Sequence, residues 1–217
     1  MIHRAPDTYS EPAREVEAKQ FHDYWLYMRS FVTQGKKIAS LFPSSRWAAQ
    51  SMIDGINFDE CETVIELGAG TGAVTALLLQ AARGKCRAII VERNPVFCER
   101  LAERFPSAEI VAGDALKLTN ILKRLKIRTI DHVLSTLPIN WFPAQQRTAF
   151  LATICQHLQS EGSFRQLSHL PWSQRALYAQ HFAAVSCPIE WRNLPPAGCY
   201  ICREPRSAQN ISVPSGT

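Results

Sequence analysis

The sequence predicts a doubly wound α/β domain with a Rossmann-like, mostly parallel sheet of seven strands. Short apolar runs alternate with helical segments from residue 62 onward, which is the pattern of a parallel sheet covered by helices on both faces. A glycine-rich turn joins the first strand to the first of these helices. The last two strands have no helix between them, which predicts an antiparallel C-terminal edge hairpin. A chain of 217 residues suits one such domain.

Each element has its own signal. Arg87–Glu92 is a β-branched run bounded by polar residues, which favours a strand, and Pro95 is suited to the first turn of the helix that follows. Gly162 is placed to close a long helix. The predicted strands are 62–67, 87–92, 109–112, 130–136, 163–168, 184–191 and 198–203. The predicted helices are 73–82, 95–105, 116–125, 144–158 and 172–182.

The N-terminal part is predicted to carry amphipathic helices ahead of the sheet. Residues 1–19 are polar and contain proline, which predicts a flexible start. In residues 20–57, one amphipathic helix spans 20–34, and a second spans about 46–54 after the cap Pro43-Ser44-Ser45. The α/β domain is assigned to 58–204 and a disordered tail to 205–217.

Composition limits the partners. The net charge of +5 permits an anionic partner, either a membrane surface or a nucleic acid. The sequence has no apolar run long enough to cross a bilayer and no secretory signal at its start, which predicts a cytoplasmic protein. The seven cysteines include a single CxxC pair, Cys199 and Cys202, so we expect reduced thiols and no metal site.

The segment Glu66-Leu67-Gly68-Ala69-Gly70-Thr71-Gly72 lies between a predicted strand and a predicted helix. Glycines at such a turn let the backbone approach a ligand, and the helix start presents free N–H groups. Glu92 ends the next strand, where a carboxylate accepts hydrogen bonds from ribose hydroxyls. The turn also satisfies the dinucleotide pattern GxGxxG/A, so NAD is an alternative cofactor.

Three features favour S-adenosylmethionine (SAM) over NAD. An acid precedes the turn, which suits a cationic sulfonium and ammonium and would repel a pyrophosphate. Gly113-Asp114-Ala115 follows the third strand, where adenine can bind, and Ser135-Thr136-Leu137-Pro138 ends the fourth, facing the site of transfer. Together these segments resemble the motifs of class I SAM methyltransferases. The predicted cofactor-binding residues are Glu66, Gly68, Gly70, Thr71, Gly72, Glu92, Arg93, Gly113, Asp114, Ala115 and Ser135.

Further segments between about residues 35 and 203 resemble the soluble bacterial phosphatidylethanolamine N-methyltransferases. They are Phe42-Pro43-Ser44-Ser45-Arg46, Glu66–Gly72, Arg104-Phe105-Pro106, the 135–143 segment beginning Ser-Thr-Leu-Pro, Gly162–Leu167 and Asn193-Leu194-Pro195-Pro196-Ala197. The resemblance implies methyl transfer from SAM to the amine of phosphatidylethanolamine, toward phosphatidylcholine. It implies a phospholipid substrate and a peripheral place on the inner face of the cytoplasmic membrane.

The candidate acceptor-side residues follow from that chemistry. Ser135 and Thr136 are expected to hold the acceptor nitrogen, and His169, Tyr24 and Tyr178 are the candidate proton acceptors. A cation is needed for the lipid phosphate, supplied by Arg46 or Arg165. The residues expected at an anionic membrane are Trp25, Arg29, Lys36 and Lys37.

Three other functions stay open at this point. An RNA or DNA adenine N6-methyltransferase has a similar fold but carries an aromatic side chain after the proline of its strand-four motif, where this chain has Ile139. A small-molecule amine methyltransferase would use the N-terminal helix as a lid. A membrane-surface protein that binds SAM without transferring methyl is disfavoured by the intact acids Glu66, Glu92 and Asp114.

Overall fold

The computed structural model describes residues 44–168, 173–193 and 196–206. It contains a single eight-stranded sheet in the order β3-β2-β1-β4-β5-β8-β6, with the short β7 paired to β8. The strands are β1 Thr63–Leu67, β2 Arg87–Glu92, β3 Glu109–Ala112, β4 Ile130–Ser135, β5 Leu158–Ser168, β6 Phe182–Ser186, β7 Ile189–Glu190 and β8 Ala197–Pro205. The predicted flexible start, the helix 20–34 and the stretch from residue 207 lie outside the described residues.

Helices cover both faces of this sheet, as predicted for a doubly wound fold. They are α1 Ser44–Ser51, α2 Ala73–Ala82, α3 Pro95–Arg104, α4 Leu118–Leu125, α5 Ala144–His157 and α6 Arg175–His181. One buried cluster joins α1, α2 and α3 to one sheet face through Ala49, Leu78 and Leu101. A second cluster joins α4, α5 and α6 to the other face through residues such as Leu122 and Ile154. No helix among the described residues is both long and apolar enough to cross a bilayer.

Strands β1 to β5 run parallel, and β8 is antiparallel to β5, β6 and β7. The mostly parallel sheet with an antiparallel edge is therefore confirmed, with eight strands in place of seven. The single strand predicted over 184–191 is divided because Cys187 and Pro188 interrupt it, and proline cannot donate to a strand ladder. The two pieces, β6 and β7, follow one another along β8, which lies between β5 and β6.

Two other boundaries differ from the prediction. Strand β5 begins at Leu158, and its pairing with β4 shifts register before His132, so Gly162 lies inside the strand. Helix α6 covers only Arg175–His181. Helix α1 packs its apolar side into the core, where Ala48 and Ala49 are almost fully buried, and exposes Arg46 and Trp47.

Candidate functional site

The glycine turn connects β1 to α2 at the carboxyl edge of the parallel strands. Gly68, Gly70 and Gly72 all have positive φ, of 81°, 54° and 83°. Two of them are also closely packed. A Cβ on Gly68 would lie 2.8 Å from the side chain of Leu137, and one on Gly72 would lie 2.8 Å from those of Leu101 and Phe105. The turn thus needs glycine for both conformation and space, and it leaves the backbone open to a ligand.

Glu66 is the acid that precedes the turn, and it is fully buried within β1. Its Oε2 accepts a hydrogen bond of 2.8 Å from Oγ1 of Thr75 on α2. Its Oε1 has no hydrogen-bond partner among the described residues. Burial raises the pKa of Glu66 to about 7, against the opposing effect of the Thr75 hydroxyl. A buried carboxylate oxygen without a partner, beside this turn, is suited to a cationic ligand.

Glu92 ends β2 and braces the glycine turn. Its Oε2 accepts from the backbone N–H of Gly70 at 2.8 Å. Its Oε1 accepts from the backbone N–H groups of Arg93 and Asn94, both at 2.8 Å. One carboxylate therefore fixes two loops that follow neighbouring strands. The remaining acceptor capacity of Oε2 is available to a hydroxyl group at this edge.

The third motif follows β3. The N–H of Gly113 donates to the Glu92 carbonyl oxygen at 2.9 Å, which brings this loop beside the end of β2. Asp114 caps the 3₁₀ turn Ala115–Lys117, because its Oδ1 accepts from the N–H of Leu116 at 3.0 Å. Its Oδ2 lies 3.9 Å from Nη1 of the exposed Arg93. This places Asp114 within the row of polar groups along the carboxyl edge.

The fourth motif follows β4 and contacts the glycine turn directly. The Thr136 hydroxyl donates to the carbonyl oxygen of Gly68 at 2.5 Å, and the Thr136 N–H donates to the Leu67 carbonyl oxygen at 3.1 Å. Ser135 is fully buried, and its Oγ accepts from the N–H of Leu137 at 3.3 Å. The structure thus brings the predicted β1 and β4 motifs together, while the assignment of these residues to cofactor and acceptor remains a prediction.

Gln166 is a site residue that the sequence prediction missed. It pairs in register with Ser135 at the adjacent end of β5 and is 2% exposed. Its Nε2 donates to the carbonyl oxygens of Leu137 and Leu167 at 2.9 and 2.7 Å. Because both neighbours are acceptors, the amide orientation is fixed, and its Oε1 has no partner among the described residues. The sequence signal that could have identified Gln166 is its polar side chain near the carboxyl end of a strand that lies beside the strand ending at Ser135.

Tyr178 requires a correction as candidate proton acceptor. It is fully buried on α6 among Phe164, Phe182 and Tyr200. Its hydroxyl donates to Oε1 of Gln174 at 2.5 Å, and burial raises its pKa. This hydroxyl is committed as a donor to Gln174, and the ring packs against the rings of Phe164 and Tyr200, so Tyr178 is a core residue in this structure.

Arg165 requires a similar correction as candidate phosphate ligand. It is 1% exposed, and its Nη1 donates to the carbonyl oxygens of Met52 and Asp54 at 3.3 and 2.6 Å. It lines a cavity of about 240 Å³ together with Asp131 and His132, which lie near the start of β4 at the opposite edge of the sheet. Arg165 therefore joins the end of α1 to the sheet and does not face the glycine turn.

Arg46 is exposed on the first turns of α1, in keeping with either a surface ion pair or a lipid contact. The other predicted acceptor-side and membrane residues lie outside the described part of the chain. They are His169, Tyr24, Trp25, Arg29, Lys36 and Lys37.

The sheet order, the glycine turn after β1, the acid ending β2 and the polar ends of β3 and β4 define a class I SAM-dependent methyltransferase. Oε1 of Glu66, which has no partner in the described part of the chain, fits the cationic methionine part of SAM, whereas it would repel the pyrophosphate of NAD. Residues 64–162 match the family model described as a methyltransferase domain.

Comparison with known proteins agrees with this class. The ornithine lipid N-methyltransferase of Singulisphaera acidiphila is 38% identical over 83% of this chain and 96% of its own length. A probable ribosomal RNA small subunit methyltransferase A of Methanococcus aeolicus is 28% identical over 48% of this chain and 37% of its own length. The crystal structure of the Burkholderia thailandensis 1,6-didemethyltoxoflavin-N1-methyltransferase has a TM-score of 0.63, at 17% identity, over 93% of this chain and 94% of that one. The chain belongs to the family of SAM-dependent methyltransferases that includes the Singulisphaera protein.

Proposed function

We propose that the protein transfers methyl groups from SAM to the primary amine of a lipid head group. The observation that carries the proposal is the match to a lipid N-methyltransferase across nearly the whole length of that relative. Phosphatidylethanolamine, which the sequence motifs imply, and ornithine lipid are the two candidate acceptors. They share a primary amine on an acyl-chain anchor, and methylation of the first leads toward phosphatidylcholine.

The geometry of the carboxyl edge supports an amine acceptor. When bound, SAM supplies an electrophilic methyl group, and the protein must present a nitrogen lone pair in line with it. A primary amine has a pKa near 10 in water, so a proton must leave before attack. Ser135 Oγ and Gln166 Oε1 are neutral acceptors on adjacent strand ends. Neutral oxygens orient amine N–H groups without stabilising the ammonium form as a carboxylate would.

The strand-four motif is less suited to a nucleobase. In adenine N6-methyltransferases an aromatic side chain after the motif proline stacks on the flipped base. Here that position holds Ile139, which is 1% exposed and packs in the core. A base-stacking surface is therefore lacking at this position, which favours the lipid proposal over RNA methylation.

The test is a methyl-transfer assay with the full chain and methyl-labelled SAM. Anionic liposomes containing phosphatidylethanolamine or ornithine lipid are supplied separately, and lipids are separated by chromatography. Label in one lipid supports the proposal, identifies the acceptor and counts the methyl groups. Label in neither lipid, with SAM still bound and label transferred to RNA or a soluble amine, would refute it.

A matched pair of variants tests the acceptor side. We expect Gln166→Leu to lower turnover at least tenfold while leaving SAM affinity within about twofold, because the variant loses the acceptor oxygen and the hydrogen bonds to Leu137 and Leu167, none of which involves the glycine turn. Tyr178→Phe, which alters a buried hydroxyl elsewhere in the core, should retain wild-type turnover. Equal turnover in Gln166→Leu and wild type would remove Gln166 from the acceptor site.

A further inference from the structure

Exposed apolar side chains are concentrated at one edge of the described structure. The large apolar residues that are exposed among the described residues are Trp47, Val96, Leu116, Trp141 and Trp191. Four of them follow strand ends at the carboxyl edge of the parallel strands, and the ring of Trp47 contacts Arg192, the neighbour of Trp191, at the same edge. Val96 and Leu116 follow β2 and β3, beside the motifs assigned to the cofactor. The three tryptophans lie elsewhere along the same edge and have no explanation in the cofactor site.

The tryptophans come from three separate segments. Trp141 is 54% exposed in the 3₁₀ turn Ile139–Trp141, shortly after β4. Trp191 is 70% exposed directly after β7. Ile189 of β7 pairs with Gly198 of β8, and Gly198 also pairs with Ser168, the last residue of β5, so β7 lies at the carboxyl edge. Trp47 is 37% exposed on α1. We call these three residues the tryptophan rim.

Cationic side chains accompany the rim. The Arg192 guanidinium lies 3.9 Å from the centre of the Trp47 ring, which joins α1 to the segment after β7. Arg192 also forms a bidentate ion pair with Glu190, so the carboxylate of Glu190 is compensated. Arg46, next to Trp47, is exposed.

Tryptophan with a neighbouring arginine is the composition of the membrane–water interface. Indole rings concentrate at the headgroup level because they are apolar with one N–H donor, and arginine is attracted to anionic headgroups. The three rings project from separate segments of the chain onto one edge, beside the exposed side chains of Arg46 and Arg192. Resting on the function proposed above, a lipid amine must also reach this same edge.

We propose that the tryptophan rim is a membrane-docking surface, which places the carboxyl edge of the sheet against an anionic bilayer. The rings enter the headgroup layer, and Arg46 contacts acidic headgroups. The lipid amine then approaches the ends of β4 and β5 from the membrane without leaving its leaflet. This surface combines residues of α1 with Trp141 and Trp191 of the α/β domain, and none of its residues comes from the segment 20–34, for which membrane contact was predicted from sequence.

The experiment measures binding of the full chain, loaded with S-adenosylhomocysteine, to vesicles of phosphatidylglycerol and phosphatidylcholine. These vesicles contain no amine acceptor, so docking is measured apart from methyl transfer. We expect Trp191→Ala to weaken vesicle binding about tenfold and Trp191→Phe to weaken it less, since a phenyl ring retains part of the apolar area. Brominated lipids should quench the fluorescence of the wild type more than that of Trp191→Phe.

A charge-matched pair separates local attraction from net charge. Arg46→Ala and Arg128→Ala each remove one positive charge, but Arg128 is exposed just before β4 at the amino edge. We expect Arg46→Ala to weaken binding about fivefold at low salt and Arg128→Ala to leave it unchanged. Equal losses in the two variants would contradict docking through this edge.

The outcomes are distinct from those of the methyl-transfer assay. If the Trp191→Ala variant binds vesicles as tightly as the wild type and keeps its affinity for S-adenosylhomocysteine, the docking surface is refuted, even if the protein methylates a lipid. A Trp191→Ala variant that loses affinity for an RNA oligonucleotide but not for vesicles would refute it as well. Conversely, loss of vesicle binding in Trp191→Ala would support docking even if the methylated acceptor proves not to be a lipid.

Discussion

Replacement of Glu66 by glutamine should stabilise the protein without ligand and weaken its binding of SAM. The carboxyl group is fully buried, with one oxygen held by Thr75 and the other without a partner among the described residues. Its pKa is raised from the ordinary 4.5 to about 7, chiefly by burial. Glutamine has nearly the same shape, and its oxygen can still accept from the Thr75 hydroxyl, so the substitution removes the ionisation and little else.

The magnitude follows from proton linkage. Between about pH 4.5 and 7 the folded Glu66 keeps a proton that the unfolded chain has released, so the free energy of unfolding falls as pH rises through this window. At 1.36 kcal/mol per pKa unit, the cost at about pH 8 is about 3 kcal/mol. Urea unfolding should therefore show Glu66→Gln more stable than wild type by about this amount at about pH 8, and nearly equal to it at about pH 4.5.

Binding should change in the opposite sense. A cation beside Glu66 favours the carboxylate, so wild-type affinity should fall by up to tenfold per pH unit below about 7. Glu66→Gln should bind more weakly above that pH. Titration calorimetry with S-adenosylhomocysteine across this range measures both proteins, and their affinity ratio cancels the ligand's own amine titration. A ratio independent of pH, or an equal stability difference at both pH values, would refute the linkage.

The remaining predictions concern the turn, its brace and the aromatic core. Gly72→Ala should destabilise the fold by about 2 kcal/mol more than Gly84→Ala in urea unfolding, because both glycines have positive φ but only Gly72 lacks room for a Cβ, next to Phe105. Similar losses of stability in the two variants would mean that the space around Gly72 does not limit its substitution. Glu92→Ala should lower SAM affinity at least tenfold in titration calorimetry, since three backbone N–H groups lose their acceptor. An unchanged SAM affinity would show that the glycine turn is ordered without Glu92. Tyr178→Phe should lose about 1 kcal/mol of stability with turnover intact, and a large drop in turnover would restore Tyr178 to the site.

The parallel half of the fold was predictable because each of its elements has a local signal. Arg87–Glu92 and Ala73–Ala82 have the bounds that the pattern gave. The antiparallel part was harder to predict from the sequence, since the position of β8 between β5 and β6 depends on pairing between distant segments. The division of the strand at Pro188 was visible in the sequence, because a proline inside a strand pattern argues against a continuous ladder.

The site residues show the same difference between features with a local signal and features that depend on distant contacts. Glu66, Glu92 and Asp114 could be placed at one edge because each lies within two residues of the carboxyl end of a parallel strand, and parallel strands end together. Arg165 and Tyr178 were misassigned because residue type alone does not reveal direction. Arg165 is one residue from Gln166, but successive side chains of a strand point to opposite faces. Its guanidinium therefore contacts the end of α1, while Gln166 lies in register with Ser135.

Hydrogen bonds also connect the glycine turn, Glu92 and the proposed acceptor residues to one another. Thr136 donates to the carbonyl oxygen of Gly68, so the loop after β4 is fixed to the glycine turn. Gln166 in turn donates to the carbonyl oxygen of Leu137, which fixes the end of β5 to that loop. A hydrogen-bonded path thus runs from the glycine turn to the candidate acceptor oxygens. Alignment of a methyl group with an amine depends on such rigidity, because misplacement by about 1 Å can cost about a hundredfold in rate.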